Sequence, residues 1–193
     1  MTPVDVARAF LDGGARLLQL RAKTLPSRDF LALADTIVAA AGRYGASIII
    51  NDRVDIAKLA GAAGVHVGQD DLSPAAARRL LGDAAIVGFS THTLQQIDAA
   101  VREPVSYVAV GPVFGTQSKD TGYRAVGLEL VAAAARIAGT LPVVAIGGIT
   151  IENASSVIAA GAASVAVISD LLVDRDPEER TRAFLRRLTD NRV

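Results

Sequence analysis

A strand, a helix and a second strand follow one another between residues 48 and 71, and both strands end in acidic residues. The β-branched run at 48–50 is closed by Asn51-Asp52, and the strand predicted at 64–69 is closed by Asp70-Asp71. The residues between them, roughly 54–62, supply the helical crossover that two parallel strands require. Because the carboxyl ends of parallel strands lie at one rim of a sheet, this segment predicts a covered parallel sheet with acidic groups at that rim.

The same alternation continues along the chain. Further strands are predicted at 17–23, 85–91, 106–112, 141–149 and 164–168, and helices at 3–11, 27–42, 73–82, 128–138 and 150–161. A helix after Thr93 and a charged helix opened by Asp176-Pro177 bring the count to about seven strands and about eight helices. This α/β pattern fits a (β/α)8 TIM barrel that lacks its first strand or has it truncated, because no strand is written before Pro3.

An open doubly wound sheet would also tolerate seven strands. The sequence does not, however, contain the strand–GxGxxG–helix motif that a dinucleotide-binding sheet of this kind carries. We therefore expect residues 1–193 to form a single barrel-type domain.

Charge and cysteine content narrow the function classes. Lys and Arg total 20 and Asp and Glu total 20, so nothing in the balance favours nucleic acid or a membrane surface as partner. The absence of cysteine excludes disulfides, thiolate metal sites and cysteine nucleophiles. No long apolar run and no signal-peptide pattern occurs, which predicts a soluble cytoplasmic protein.

The acidic strand ends have two interpretations. Asp52 and one Asp of the 70–71 pair can face a single crevice, and two carboxylates suit Mg²⁺, which binds a few protein oxygens together with substrate phosphates. The alternative is that each Asp only caps a helix. Their position at neighbouring strand ends favours the metal site.

A polar row occupies one face of the strand predicted at 17–23. Gln19, Arg21 and Lys23 alternate with apolar residues on the other face. A solvated edge strand could look like this, but parallel strands are usually covered on both faces. The row therefore favours a ligand-binding wall.

Three features predict anion binding where barrel enzymes often hold phosphate, in the loops after the late strands. They are Gly147-Gly148 ahead of a helix, Ile168-Ser169 after the last strand, and Lys119 flanked by Thr116 and Ser118. A Gly-Gly turn also arises from backbone geometry alone. Combined with Arg21, Lys23 and the aspartates, the three features predict two phosphorylated groups in one pocket.

Six segments together resemble one known family. They are Gln19-Leu20-Arg21-Ala22-Lys23, Asn51-Asp52-Arg53, Gly64-Val65-His66-Val67-Gly68-Gln69-Asp70-Asp71, Ser90-Thr91-His92-Thr93, Gly111-Pro112-Val113-Phe114-Gly115-Thr116-Gln117-Ser118-Lys119 and Ala145-Ile146-Gly147-Gly148-Ile149-Thr150. In these segments, taken in order, the chain resembles the thiamine-phosphate synthase (thiamine-phosphate pyrophosphorylase) family. The resemblance spans roughly residues 17–172, nearly the whole chain.

The resemblance implies a Mg²⁺-dependent (β/α)8 transferase of thiamine biosynthesis. Its small phosphorylated substrates would be 4-amino-2-methyl-5-(diphosphooxymethyl)pyrimidine and 4-methyl-5-(2-phosphooxyethyl)thiazole, and its products thiamine phosphate and diphosphate. The reaction implied is dissociative: diphosphate leaves first and the thiazole nitrogen captures the resulting cation. It demands no Ser–His–Asp triad, and the resemblance leaves homo-oligomerisation open.

The resemblance also implies roles for individual residues. The pyrimidine diphosphate would be held by Gln19, Arg21, Lys23 and Asn51, with Ser90 and Lys119 also reaching the diphosphate. Arg21, Lys23, Ser90 and Lys119 would be catalytic, and Asp52 and Asp71 would hold Mg²⁺. The thiazole phosphate would be bound by Thr116, Ser118, Gly148, Ile168 and Ser169.

The chain departs from the family pattern at three places. Ser118 stands where Thr is usual, Gly115 replaces a frequent Pro, and no first strand is written. Two rival functions are a thiazole tautomerase of the same superfamily, which lacks the full metal-binding set, and a barrel that binds a phosphorylated ligand without turnover. We expect His66 to be a hydrogen-bonded interior residue and His92 to serve at a helix start or in packing.

Overall fold

The computed structural model describes residues 1–115 and 124–189. Seven strands form one parallel sheet, each pairing with the next in chain order. They are β1 (Leu17–Leu20), β2 (Ser47–Asn51), β3 (Gly64–Val67), β4 (Ile86–Thr91), β5 (Tyr107–Val110), β6 (Val143–Ile146) and β7 (Ser164–Ala166). The predicted parallel α/β alternation is confirmed.

Helices separate the strands throughout the described ranges. They are α1 (Pro3–Asp12), α2 (Ser27–Gly42), α3 (Val54–Leu59), α4 (Pro74–Leu81), α5 (Leu94–Ala100), α6 (Gly127–Ala138), α7 (Ala154–Ala159) and α8 (Pro177–Thr189). A short 3₁₀ helix at Ser169–Leu172 joins β7 to α8. None of the described helices is both long and apolar enough to cross a membrane.

The architecture is TIM-barrel-like, with an open sheet. Within residues 1–115 and 124–189, β1 and β7 each pair on one side only, so the strand ring has a gap between them. The helix layer has no such gap, because α1 contacts both α2 and α8. The seven strands do not by themselves complete a (β/α)8 barrel.

Two apolar clusters form the core between the sheet and the helices. One joins α1–α4 to β2–β4, and the other joins α5–α8 to β5 and β6. Phe89 and Val105 pack against both clusters, so the core is continuous. Side chains such as Ile50 and Val108 are fully buried, and each such burial contributes roughly 1.5–3 kcal/mol of transfer free energy. The core fixes the sheet from outside and leaves its inner face for the site.

Several elements are shorter than the sequence predicted. The strand predicted at 17–23 ends at Leu20, and the strand predicted at 141–149 is confined to Val143–Ile146. The helix predicted from Thr150 begins at Ala154. There the Thr150 N–H donates to Asn153 Oδ1 (2.9 Å), which closes a turn ahead of the helix. These differences leave longer loops at the carboxyl ends of the strands.

Candidate active site

A cavity of about 440 Å³ lies on the inner side of the sheet toward the carboxyl ends of its strands. Its size falls in the range of small-molecule sites, roughly 300–1,000 Å³. The predicted substrate-binding residues that line it are Gln19, Arg21, Asn51, Ser90, Gly148, Ile168 and Ser169. Thr116, Ser118 and Lys119 lie outside the described residues. Residues far apart in the sequence are therefore brought to one space, as the strand-end pattern predicted.

The polar row Gln19, Arg21 and Lys23, predicted to form a ligand-binding wall, is only partly arranged in that way. Gln19 and Arg21 line the cavity, while Leu18 and Leu20 pack against the core on the opposite side. β1 ends at Leu20, so Arg21 and Lys23 both lie beyond it, and of the three predicted residues only Gln19 and Arg21 line the cavity. Lys23 instead pairs with an aspartate.

A buried polar network crosses three adjacent strands inside the sheet. The Tyr107 hydroxyl lies 2.9 Å from His66 Nδ1, and His66 Nε2 lies 2.7 Å from Ser90 Oγ. The Tyr107 and His66 rings stack with their centroids 5.6 Å apart. Burial raises the pKa of the Tyr107 phenol, which therefore keeps its proton. His66 is hydrogen-bonded in the interior, as expected, and it also lines the cavity.

Tyr107 is a cavity residue that the sequence did not predict. The available signal was the two-residue period of β5, since Tyr107 and Ala109 both face the cavity. A tyrosine that shares a strand face with an alanine is common in apolar strands, so this pattern alone does not predict a site residue. Its partner His66 lies 41 residues away in the chain.

The two predicted metal-binding aspartates lie together at the rim. Asp52 directly follows β2 in the left-handed backbone region (φ 62°), and Lys23 Nζ lies 2.9 Å from Asp52 Oδ2. The Gly68 N–H donates to Asp71 Oδ2 at 2.7 Å. Neither aspartate caps a helix, because the N-caps of α3 and α4 are Arg53 and Ser73. Asp71 instead closes the loop after β3, and its carboxyl is close enough to that of Asp52 for the two to interact.

The environment of the pair raises the pKa of the Asp71 carboxyl. Although the residue as a whole is exposed, desolvation of its carboxyl group is the main cause, and the Asp52 carboxylate adds to it. The Gly68 N–H and the Lys23 ammonium act in the opposite direction. Two carboxylates this close repel each other unless a proton or a cation lies between them.

This donor set fits Mg²⁺. The parts of the chain that the structure describes contain no group of three or more His, Cys, Asp or Glu side chains suited to a metal ion. Mg²⁺ does not need such a cage, because it binds through one or two carboxylates, water and substrate phosphates. The exposed Asp71 and the partly buried Asp52, whose neighbour Asn51 lines the cavity, provide that arrangement.

The turn after β6 requires glycine on steric grounds. Gly147 and Gly148 have φ values of 99° and 64°. A Cβ at Gly147 would lie 2.5 Å from Pro112 Cβ, and one at Gly148 would lie 2.6 Å from the Gly115 carbonyl oxygen. This requirement holds with or without a phosphate. The turn does, however, bring backbone to the cavity wall close to Ile168 and Ser169.

Two further polar side chains line or border the cavity at β4. His92 Nδ1 contacts the Gly111 carbonyl oxygen, which can only accept, so Nδ1 carries the proton. The Gln69 side chain donates to the Ser90 carbonyl oxygen (2.6 Å). These contacts fix the backbone around Ser90, whose hydroxyl faces the network of His66 and Tyr107.

The comparisons with known proteins point to one family. A family model described as thiamine monophosphate synthase matches residues 1–171. The thiamine-phosphate synthase of Roseiflexus castenholzii is 46% identical over 181 residues, covering 94% of this chain and 79% of that protein. The thiamine-phosphate synthase of Chlorobium luteolum is 44% identical over 184 residues, covering 95% of this chain and 86% of that protein.

A solved structure is similar over the full length of the chain. It is the thiamine phosphate pyrophosphorylase from Pyrococcus furiosus, with a TM-score of 0.91 and 30% sequence identity. The match covers 100% of this chain and 92% of that one.

Proposed function

The chain belongs to the thiamine monophosphate synthase family and is a transferase of thiamine biosynthesis, and from this premise we propose how its site performs the reaction. The proposed reaction couples 4-amino-2-methyl-5-(diphosphooxymethyl)pyrimidine with 4-methyl-5-(2-phosphooxyethyl)thiazole. It gives thiamine phosphate and diphosphate and depends on Mg²⁺.

One observation carries the proposal. The carboxyls of Asp52 and Asp71 are close enough to interact, Lys23 Nζ lies 2.9 Å from Asp52 Oδ2, and Asn51, next to Asp52, lines the cavity. Arg21 lines the adjacent cavity wall. Acidic groups that can hold a divalent cation next to basic groups that can hold phosphate suit a diphosphate leaving group.

The pyrimidine diphosphate would lie between this rim and the inner wall. Asp52 and Asp71 would hold Mg²⁺, which when bound supplies positive charge to the departing diphosphate. Arg21 and Lys23 would stabilise the same developing charge, together with Lys119 from outside the described residues. Gln19 and Asn51 would orient the pyrimidine half.

The thiazole phosphate would lie across the cavity. Gly148, Ile168 and Ser169 line that side, and Thr116 and Ser118 would add hydroxyl groups from outside the described residues. The two substrates would then meet in the space that the seven strands enclose.

In the chemical step, the C–O bond between the pyrimidine methylene group and the diphosphate breaks. Its electron pair leaves with the diphosphate oxygen, and the thiazole nitrogen lone pair forms the new C–N bond. No proton is removed from carbon, so no general base is required. The protein accelerates the step by stabilising charge that develops only as the bond breaks. Ser90, placed by His66 within the cavity, would donate to a diphosphate oxygen.

Substitution of the aspartates tests the proposal. Asp71→Asn keeps the shape of the side chain but removes its charge, so kcat/KM should fall about a hundredfold or more at saturating Mg²⁺. Asp52→Asn should act alike, because asparagine tolerates the positive φ at this position. Coupling assays with both substrates, at varied Mg²⁺, provide the measurement.

Asp70→Asn is the matched control, since it makes the same change in the adjacent exposed residue. Equal rates for the Asp71 and Asp70 variants would remove Asp71 from the metal site. Isomerisation of the thiazole without coupling would assign the chain to the tautomerases. Binding of both substrates without turnover would identify a non-catalytic barrel.

We also propose that the gap between β7 and β1 accommodates one further parallel strand, which would complete a (β/α)8 barrel. The helix layer supports this, since α1 contacts both α8 and α2 on the outside of the gap.

A further inference from the structure

A carboxylate lies where the proposed thiazole phosphate would bind. Asp170 directly follows Ser169 in the short 3₁₀ helix after β7, and it lines the cavity with Gly148 and Ile168. Its side chain is only 12% exposed, so water screens its charge poorly. An unpaired carboxylate at this position would repel a phosphate.

Arg180 from α8 neutralises this carboxylate. Its Nη2 lies 2.7 Å and its Nε 3.2 Å from Asp170 Oδ2, while Nε also donates to the Asp170 carbonyl oxygen (3.1 Å). The Arg180 side chain is 18% exposed and its guanidinium lies 5.9 Å from the centroid of the buried Phe184 ring. The ion pair is therefore held in one geometry, partly out of solvent.

The same pair joins the two loops that would contact the phosphate. Asp170 Oδ2 also accepts from the Ile151 N–H (3.2 Å), which lies in the turn after β6. Arg180 further approaches Glu152 of that turn (4.0 Å) and Asp174 after the 3₁₀ helix (3.5 Å). Both of these acids are largely exposed, so their charges are screened. The partly buried Asp170 is the acid whose charge Arg180 must offset.

We propose that Arg180 is a positioning residue for the thiazole-phosphate half of the site, acting by neutralising Asp170 at the cavity wall. The inference rests on the proposed function. Without the guanidinium, an incoming phosphate meets an uncompensated carboxylate, and its affinity falls. The chemistry at the diphosphate end, on the other side of the cavity, is unaffected.

Titration calorimetry with the thiazole phosphate and steady-state kinetics test this. Arg180→Gln should weaken thiazole-phosphate binding about tenfold, the scale of a lost charge-assisted contact. The KM for the pyrimidine diphosphate and kcat should stay within a factor of about three, because Arg180 touches neither reacting group. Arg182→Gln is the matched control: it makes the same change on the same helix, at a residue paired with Glu178 and Glu179 on the surface.

A double substitution distinguishes neutralisation of the Asp170 charge from a purely structural role of the ion pair. In the double variant Asp170→Asn/Arg180→Gln, the carboxylate is gone, so thiazole-phosphate affinity should return to within about threefold of the wild type. A purely structural role predicts no recovery, because the double variant also lacks the ion pair. Lack of recovery therefore overturns the proposal, as does an Arg180→Gln variant that behaves like Arg182→Gln.

If Arg180→Gln does not fold, the Arg180→Lys variant tests the proposal instead. It keeps the positive charge without the paired donors, so affinity should fall less than about threefold, and a tenfold loss in a folded variant would overturn the proposal. A wild type without turnover rejects the proposed function and this inference with it. A wild type that turns over, with variants of unchanged affinity, rejects the inference alone.

Discussion

At the scale of single residues, the buried network depends on a glycine between its members. His66, Gly88 and Tyr107 are aligned neighbours on β3, β4 and β5. A Cβ at Gly88 would lie 2.1 Å from Tyr107 Cζ and 2.5 Å from His66 Nδ1. The missing side chain on the middle strand lets the two outer ones reach each other, and so places Ser90.

Gly88→Ala should therefore destabilise the protein and slow turnover. The methyl group forces Tyr107 and His66 apart, which costs about 1–3 kcal/mol for overpacking and roughly another 1 kcal/mol for the lost buried hydrogen bond. Denaturant unfolding measures the loss. Gly42→Ala is the control, because nothing lies within 4 Å of a Cβ there. A Gly88 variant as stable as that control would show that the network is not tight.

At the scale of elements, side-chain caps set several helix starts. Ser73 Oγ accepts from the Ala76 N–H (3.2 Å) at the start of α4, the helix that was predicted from residue 73. At α5, Thr93 Oγ1 accepts from the Gln96 N–H (3.2 Å), but Gln96 Oε1 accepts from the His92 N–H (2.7 Å) instead of the N-cap N–H. Thr93 and Gln96 thus form half of a capping box, and the Gln96 side chain instead holds the backbone of the cavity residue His92.

Ser73→Ala should lower the free energy of unfolding by about 1 kcal/mol, because an N–H at the start of α4 loses its acceptor. Thr36→Ala removes a hydroxyl that bonds within α2, to the Ala32 carbonyl oxygen. This control should be neutral or slightly stabilising, since alanine is the better helix former. Thermal unfolding monitored by circular dichroism compares the two, and equal effects would argue against a cap at Ser73.

Strand ends were the least predictable feature at this scale. The alternation of Gln19, Arg21 and Lys23 continues past the point where the ladder with β2 stops at Leu20. From this loop Arg21 still lines the cavity, whereas Lys23 pairs with Asp52. Only pairing with a neighbouring strand decides where hydrogen bonding ends.

At the scale of the whole molecule, the helix layer is continuous where the strand ring is open, because α1 contacts both α2 and α8. Among the described residues, β1 and β7 each have one unpaired edge, whereas β3 is paired on both sides and fully buried. Edge strands open locally at lower free-energy cost than central ones. Gln19 and Arg21 are exposed because they line the cavity on the side of the gap.

Hydrogen exchange should reveal this asymmetry. The hydrogen-bonded amides of β1 and β7 should exchange at least about tenfold faster than those of β3 and β4. The amides of β3 and β4 become exposed only when the whole protein unfolds. Residue-resolved exchange under native conditions is the measurement. Equal protection across all seven strands would mean that the edges are covered in solution, by a further strand or by another copy of the chain.

The sequence by itself determined the parallel α/β alternation and the rim of the sheet at which Asp52 and Asp71 lie. Periodicity, helix stops and capping are local, and parallel strands place all their carboxyl ends at one rim whatever the register. The tertiary structure alone decided that Tyr107 reaches His66 across Gly88, and that Arg180 of the last helix neutralises Asp170. The first contact depends on the register of β3, β4 and β5, and the second on how α8 packs against the loop after β7. No local sequence pattern encodes either.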